Sequence, residues 1–354
     1  MKEKADLCMQ KIASTLMSNT RFINNSGLFD GKMGIAIFFY HYARFTGNKM
    51  YEDFADSLID NICDELHPGM TINFTNGLTG IGWGIEYLVQ NRFLETVNDE
   101  TFNEIDNAVY SGFMNVPFLI QNQDLNGLGL YFLARMRGRE SDENNLKVAQ
   151  IKTKLIYFID SCERLLTKEK CFGLSVPNPS VEQLNSILFF LNQVKRLGLF
   201  PVKTNRLLNY IPNNSGYDTD APNVDRYTFW SLAKEYREGP VKNNLPYEIF
   251  SIALLDNENP NKIDEESMVI EFIRCNWNAL LYQIDFACNE TFKFNSEKVI
   301  TLIVNDNYWN KLLDKLNADN MGLYSGLAGL GMSIIQFSES FATKEIIARK
   351  HINI

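Results

Sequence analysis

The chain has 354 residues, 45% of them hydrophobic and 12% aromatic, which supplies a large core and excludes a mainly disordered protein. Its formal net charge of -9 argues against a nucleic-acid or acidic-membrane partner, because phosphate-rich surfaces call for a basic face. Six cysteines without regular spacing make no disulfide framework, and no uncharged run reaches the roughly eighteen apolar residues of a membrane span. The N-terminal Met1-Lys2-Glu3-Lys4-Ala5-Asp6 lacks the apolar core of a signal peptide, so the expected location is cytoplasmic.

In chain order, the first strong feature is Gly27-Leu28-Phe29-Asp30-Gly31-Lys32-Met33-Gly34, which runs into the apolar stretch Ile35 to Arg44. That stretch predicts a helix buried on all sides, ended by Thr46-Gly47-Asn48. Tyr51, Phe54, Ala55, Leu58, Ile59 and Ile62 then recur at three- and four-residue spacing, as in an amphipathic helix with one wet face. The signature returns at Gly77-Leu78-Thr79-Gly80-Ile81-Gly82-Trp83-Gly84, followed by a buried run to Val89 and an amphipathic one through Phe102, Ile105 and Val109. A shortened form, Asn126-Gly127-Leu128-Gly129, precedes Leu130 to Met136 and the amphipathic Leu146, Ile151, Leu155 and Phe158.

Beyond residue 170 the repeat decays. Ser186 to Leu197 reads as a buried helix, whereas residues 201 to 226, with Pro212-Asn213-Asn214-Ser215-Gly216, read as an exposed loop. Residues 238 to 246 and 256 to 264 read as further loops. The signature closes the chain at Gly322-Leu323-Tyr324-Ser325-Gly326-Leu327-Ala328-Gly329. Repeats of a buried inner helix and a half-exposed outer one predict an all-α fold. Both a two-layered helical ring and an open solenoid fit that period. No clean linker interrupts the chain, so residues 1 to 354 are read as one domain, with the repeats clearest at 26–62, 76–110 and 321–337 and a divergent middle at 170–290.

Glycines at these helix starts permit close backbone approach. Anion binding at glycine-led helices is the competing use, but no lysine-threonine pair and no strand accompanies them.

The segment Ser26 to Ile62, with its Gly-Leu-x-x-Gly-x-x-Gly-Ile-Ala opening and its Tyr-Ala-Arg-x-Thr-Gly close, resembles the lanthionine synthetase C-like (LanC-like) family. Asn76 to Phe93 and Met321 to Phe337 resemble the second and last repeats of the same family. The resemblance implies an α/α toroid whose central zinc activates cysteine thiolates of a substrate peptide for addition to dehydroalanine or dehydrobutyrine. It also implies two cysteine ligands and one histidine ligand.

Carried over position by position, the metal site is incomplete. The family's Trp-Cys-Tyr-Gly-Asp motif falls on Leu245-Pro246-Tyr247-Glu248-Ile249, with proline at the ligand position. Its Cys-His-Gly motif falls on Cys275-Asn276-Trp277, with an amide in place of the histidine. The acid-base histidine falls on Glu182, which serves only if burial raises its pKa, and Asp124 matches an acidic family position. A relocated metal site would draw on Cys171, Cys275 and Cys288.

The three histidines have plain structural readings: His41 in a buried helix, His67 at a helix end before Pro68, His351 frayed in the last four residues. Cys8, Cys63 and Cys162 read as small apolar fillers.

The resemblance, without its metal residues, implies a zinc-free pseudoenzyme that needs no cofactor. Such a protein would bind a peptide or a partner modifying enzyme in peptide natural-product maturation. Two alternatives stay open. One is a carbohydrate-active enzyme using two carboxylates among Asp30, Glu86, Asp124 and Glu182, although Asp30 can equally cap its helix. The other is a functional lanthionine cyclase with relocated zinc ligands.

Overall fold

The computed structural model describes residues 2–67, 69–95, 99–115, 125–137, 146–167, 179–214, 232, 265–282, 290–317 and 320–352. Among these the regular structure is entirely helical, which bears out the all-α reading. The chain divides into two compact units, Met1–Leu66 with Asn259–Ile354, and His67–Glu258.

The first unit contains α1 (Lys2–Asn19), α2 (Lys32–Thr46), α3 (Lys49–Glu65), α10 (Glu265–Tyr282), α11 (Glu290–Val304), α12 (Asp306–Asp314) and α13 (Leu327–Ile352). Helix α2 buries Met33 through Tyr40 without interruption, so it has no wet face. It stops at Gly47, whose left-handed backbone (φ +68°) lets its N–H reach the Ala43 carbonyl at 2.8 Å. Asn48 then caps α3 by accepting from the Met50 N–H. Helix α3 buries only Ala55, Leu58, Ile59 and Ile62, the stripe expected of an outer helix.

An open solenoid would leave the first and last repeats apart. Here α13 packs directly on α2, and α10 packs on the other flank of α13, giving an inner row α10, α13, α2.

The second unit contains α4 (Leu78–Gln90), α5 (Asp99–Asn115), α6 (Leu125–Arg137), α7 (Leu146–Thr167), α8 (Val181–Arg196) and α9 (Pro201–Asn214). Its inner row is α4, α6, α8, with α5, α7 and α9 each against the inner helix before it in sequence. The loop expected from residue 201 begins instead as helix α9. Pro201 opens it, where a missing N–H costs nothing, and Thr204, Leu207, Leu208 and Ile211 bury one face. Loop-like composition here yielded to apolar residues at helical spacing.

Two minor readings also need correction. Cys63 is exposed on α3, unlike the buried Cys8 and Cys162. His351 falls within α13 rather than in a frayed end.

Candidate functional site

The three glycine loops share one backbone device. A Cβ on Gly31 would come closer than 3.0 Å to the Asn25 carbonyl oxygen, one on Gly77 to that of Thr71, and one on Gly326 to that of Asn320. Each oxygen lies six residues upstream of its glycine. The chain therefore doubles back against the helix start, and only glycine fits. In the first two loops the same carbonyl also caps the helix, Lys32 N–H donating to Asn25 (2.9 Å) and Leu78 N–H to Thr71 (2.8 Å); in the last loop the neighbouring Met321 carbonyl does so, accepting from the Ala328 N–H (3.1 Å). Neither Gly31 nor Gly77 has a side-chain cap, and Gly31, not Asp30, is the N-cap of α2. A first-turn amide of each of these helices is thus bonded to the protein's own loop.

This geometry corrects the register of the second repeat. Gly77 stands where Gly31 and Gly326 stand, so the counterpart of Gly27 and Gly322 is Asn73, four residues earlier than a match of first glycines gives.

A second set of glycines receives the neighbouring inner helix. A Cβ on Gly82 would overlap the Tyr131 ring, one on Gly129 would meet the Phe190 ring at 3.0 Å, and one on Gly331 would overlap the Phe38 ring. Gly82 of α4 faces α6, and Gly129 of α6 faces α8. By the same relation Gly331 of α13 faces α2, so the last repeat precedes the first as α4 precedes α6.

In the first unit these loops build an aromatic cluster. Phe29 and Tyr324 hold the same position, two residues before Gly31 and Gly326. Their rings stack with centroids 4.5 Å apart and planes 8° from parallel. The Phe29 carbonyl accepts from the Leu323 N–H (2.6 Å) and the Tyr324 N–H (3.3 Å). Trp277 of α10 meets the Phe29 ring edge-on at 5.2 Å. Trp277 is buried, Phe29, Asp30 and Tyr324 are half-buried, and Ser325 is exposed. Two of the sequence candidates are thus placed at this cluster, Trp277 against the Phe29 ring and Asp30 next to Phe29 in the chain. The aromatic pair itself was missed, although its signal was present as aromatics at one motif position in the first and last loops.

The Cys275-Asn276 pair does not fit zinc. Asn276 is buried, and its Nδ2 donates to the Phe272 carbonyl one turn back at 2.7 Å, while Cys275 beside it offers a single thiol. Tyr247, Asp124, Cys171 and Cys288 lie outside the described residues. Among the described residues no group of three His, Cys, Asp or Glu side chains could hold a metal ion.

The remaining candidates sit in the second unit. Glu182 is exposed in the first turn of α8, so the burial its acid-base role required is absent. Glu86 is buried and pairs with the buried Arg135. Arg135 also contacts Asp106, with Nη2 to Oδ2 at 3.2 Å and Nε to Oδ1 at 3.3 Å, and Tyr131 Oη donates to Asp106 Oδ1 at 2.5 Å. The guanidinium lies over the Phe102 ring, 4.0 Å from its centroid. Burial opposes the charge on Arg135, but Tyr131, Asp106 and Glu86 together outweigh it and raise its pKa. Burial first, then the Asp106 charge, pushes the Tyr131 phenol well above its ordinary range. Glu86 is therefore part of a charged tie joining α4, α5 and α6, which sequence reading could not find because Arg135 lies 49 residues away.

His41 is a neutral imidazole in α2, its pKa pushed down to about 4 by burial and then by the nearby Arg44 charge. His67 is exposed, and its Nδ1 accepts from the Gly69 N–H at 3.2 Å.

The glycine-looped inner helices define the class as an all-α repeat protein with paired inner and outer helices. Residues 23–110 match the model of the family described as lanthionine synthetase C-like protein, so the resemblance read from the sequence is borne out over the first two repeats. Among solved structures the chain is similar to nisin cyclase, with 15% identity, 94% of this chain and 93% of that chain covered, and a TM-score of 0.48. No curated protein matches. Among the described residues no helix is long and apolar enough to cross a membrane.

Proposed function

We propose that this chain is a LanC-like protein related to thioether-forming peptide cyclases. It keeps their glycine-led pairs of inner and outer helices, has lost their zinc, and binds a peptide or a partner modifying enzyme during maturation of a peptide natural product. The family match over residues 23–110 supports the relation, and the packing of α13 on α2, which sets the last repeat beside the first, agrees with it. One observation carries the loss of zinc chemistry. The residue matched to the ligand histidine is Asn276, buried and hydrogen-bonded to its own helix. A neutral amide held in this way does not replace an imidazole ligand, and one thiol beside it does not lower a substrate thiol's pKa as a metal would. The half-buried Phe29 and Tyr324 rings offer a peptide the flat apolar contact that aromatic-rich interfaces use. The carbohydrate-active alternative draws nothing from Glu86, whose carboxylate is engaged by Arg135.

The test is zinc content of the purified full-length chain before and after zinc incubation, together with incubation with a dehydroalanine-containing cysteine peptide. The expected result is no stoichiometric zinc and no loss of free peptide thiol by alkylation and mass spectrometry, with peptide binding seen by fluorescence anisotropy. About one zinc per chain with thiol consumption would overturn the reading.

A further inference from the structure

Helix α1 sits out of sequence order. In the first unit, α11 covers α10 and α3 covers α2, each outer helix following its inner helix in the chain. Helix α13 is different, because the helix packed on it from the outer layer is α1, from the opposite end of the sequence, which also touches α11. The seat is specific. Ala5, Cys8, Met9, Ile12, Ala13 and Leu16 recur at three- and four-residue spacing, and all are buried. Cys8 Sγ donates to the Ile300 carbonyl at 3.6 Å, a contact across 292 residues. Lys11 Nζ donates to the Val304 carbonyl at 3.5 Å and to Asp306 Oδ1 at 2.7 Å, and lies 5.7 Å from the centroid of the Trp309 ring.

We infer that α1 is the outer-layer helix of the last repeat, a non-covalent clasp that holds the two ends of the chain together. The apolar face supplies most of the hold, because the Lys11–Asp306 pair is largely exposed on its acidic side and screened by salt. The arrangement has a consequence for folding. The α1 seat exists only after α11 and α13 have been made, so the first unit completes late although it contains the first residues of the chain. The inference is independent of any peptide-binding role.

The clasp is tested on the full chain with a protease site inserted between Phe22 and Ile23, since Phe22 is 59% exposed. After cleavage, the α1 fragment is expected to co-elute with the remainder in gel filtration. Release of the fragment together with a lower thermal midpoint and lost helicity would also support the clasp. Release with midpoint and helicity of the remainder unchanged would overturn it, making α1 an appendage. As a second measurement, Ile12→Ala in the uncut chain is expected to raise amide hydrogen exchange in α11 and α13 at least tenfold, while α6 and α8 keep their protection. Unchanged exchange in α11 and α13 would also overturn the inference.

Discussion

Phe29 and Tyr324, at the same position of the first and last glycine loops, stack face to face with their ring centroids 4.5 Å apart. The same pair of loops is joined through the Phe29 carbonyl, which accepts two N–H groups from the last loop. Stacked pairs of this kind contribute about 0.5–1.5 kcal/mol beyond their burial. A double-mutant cycle of Phe29→Ala and Tyr324→Ala, followed by urea unfolding, should therefore return a coupling energy of about that size. Simple additivity would mean that the rings hold nothing together and are present for another purpose.

The glycines separate into two kinds, and substitution should sort them. Gly77→Ala places a methyl against the Thr71 carbonyl, a backbone atom that cannot rotate away. Gly331→Ala drives one into the Phe38 ring. Each should destabilise the fold by about 1–3 kcal/mol. Gly47→Ala meets nothing within 4 Å and bears only its φ of +68°, a strain of roughly 1 kcal/mol. Thermal midpoints of the three variants give the order directly.

The charged tie makes the sharpest stability prediction. Arg135→Met removes the partner of two buried carboxylates, Glu86 and Asp106, and should cost about 3–5 kcal/mol. Glu86→Gln leaves Arg135 with Asp106 and should cost about 1–3 kcal/mol. Chemical denaturation of both variants tests this, and a smaller loss for Arg135→Met than for Glu86→Gln would contradict the assignment.

His41 predicts a pH effect whose sign follows from linkage. Its folded pKa of about 4 lies below the ordinary 6.5, so between those values the unfolded chain binds a proton that the folded chain refuses. Its contribution is fully present above pH 6.5 and is lost as pH falls toward 4, to a total on the order of 3 kcal/mol. Unfolding free energies of the wild type and of His41→Gln, measured across that window, should converge as the pH drops.

Much of the fold was legible in the sequence because burial is a local pattern. The unbroken apolar run after Gly31, the stop at Gly47 and the stripe on α3 each follow from residues within a few positions of one another. The failures have equally physical causes. Residues 201 to 214 carry loop-like composition, yet Leu207, Leu208 and Ile211 at helical spacing outweigh it. Glu86 read as a cavity acid because nothing near it in sequence announces Arg135.

By itself, the sequence determined that the chain is helical, repetitive and led by glycines, since propensity and periodicity act over one or two turns. It also carried the resemblance by which the family's ligand histidine falls on Asn276. Only the tertiary structure decided that Gly77 aligns with Gly31 and Gly326, that α13 lies against α2, and that α1 fills the place beside α13. Those relations join residues up to about three hundred positions apart. They are set by which surfaces pack most completely, and no local pattern encodes that.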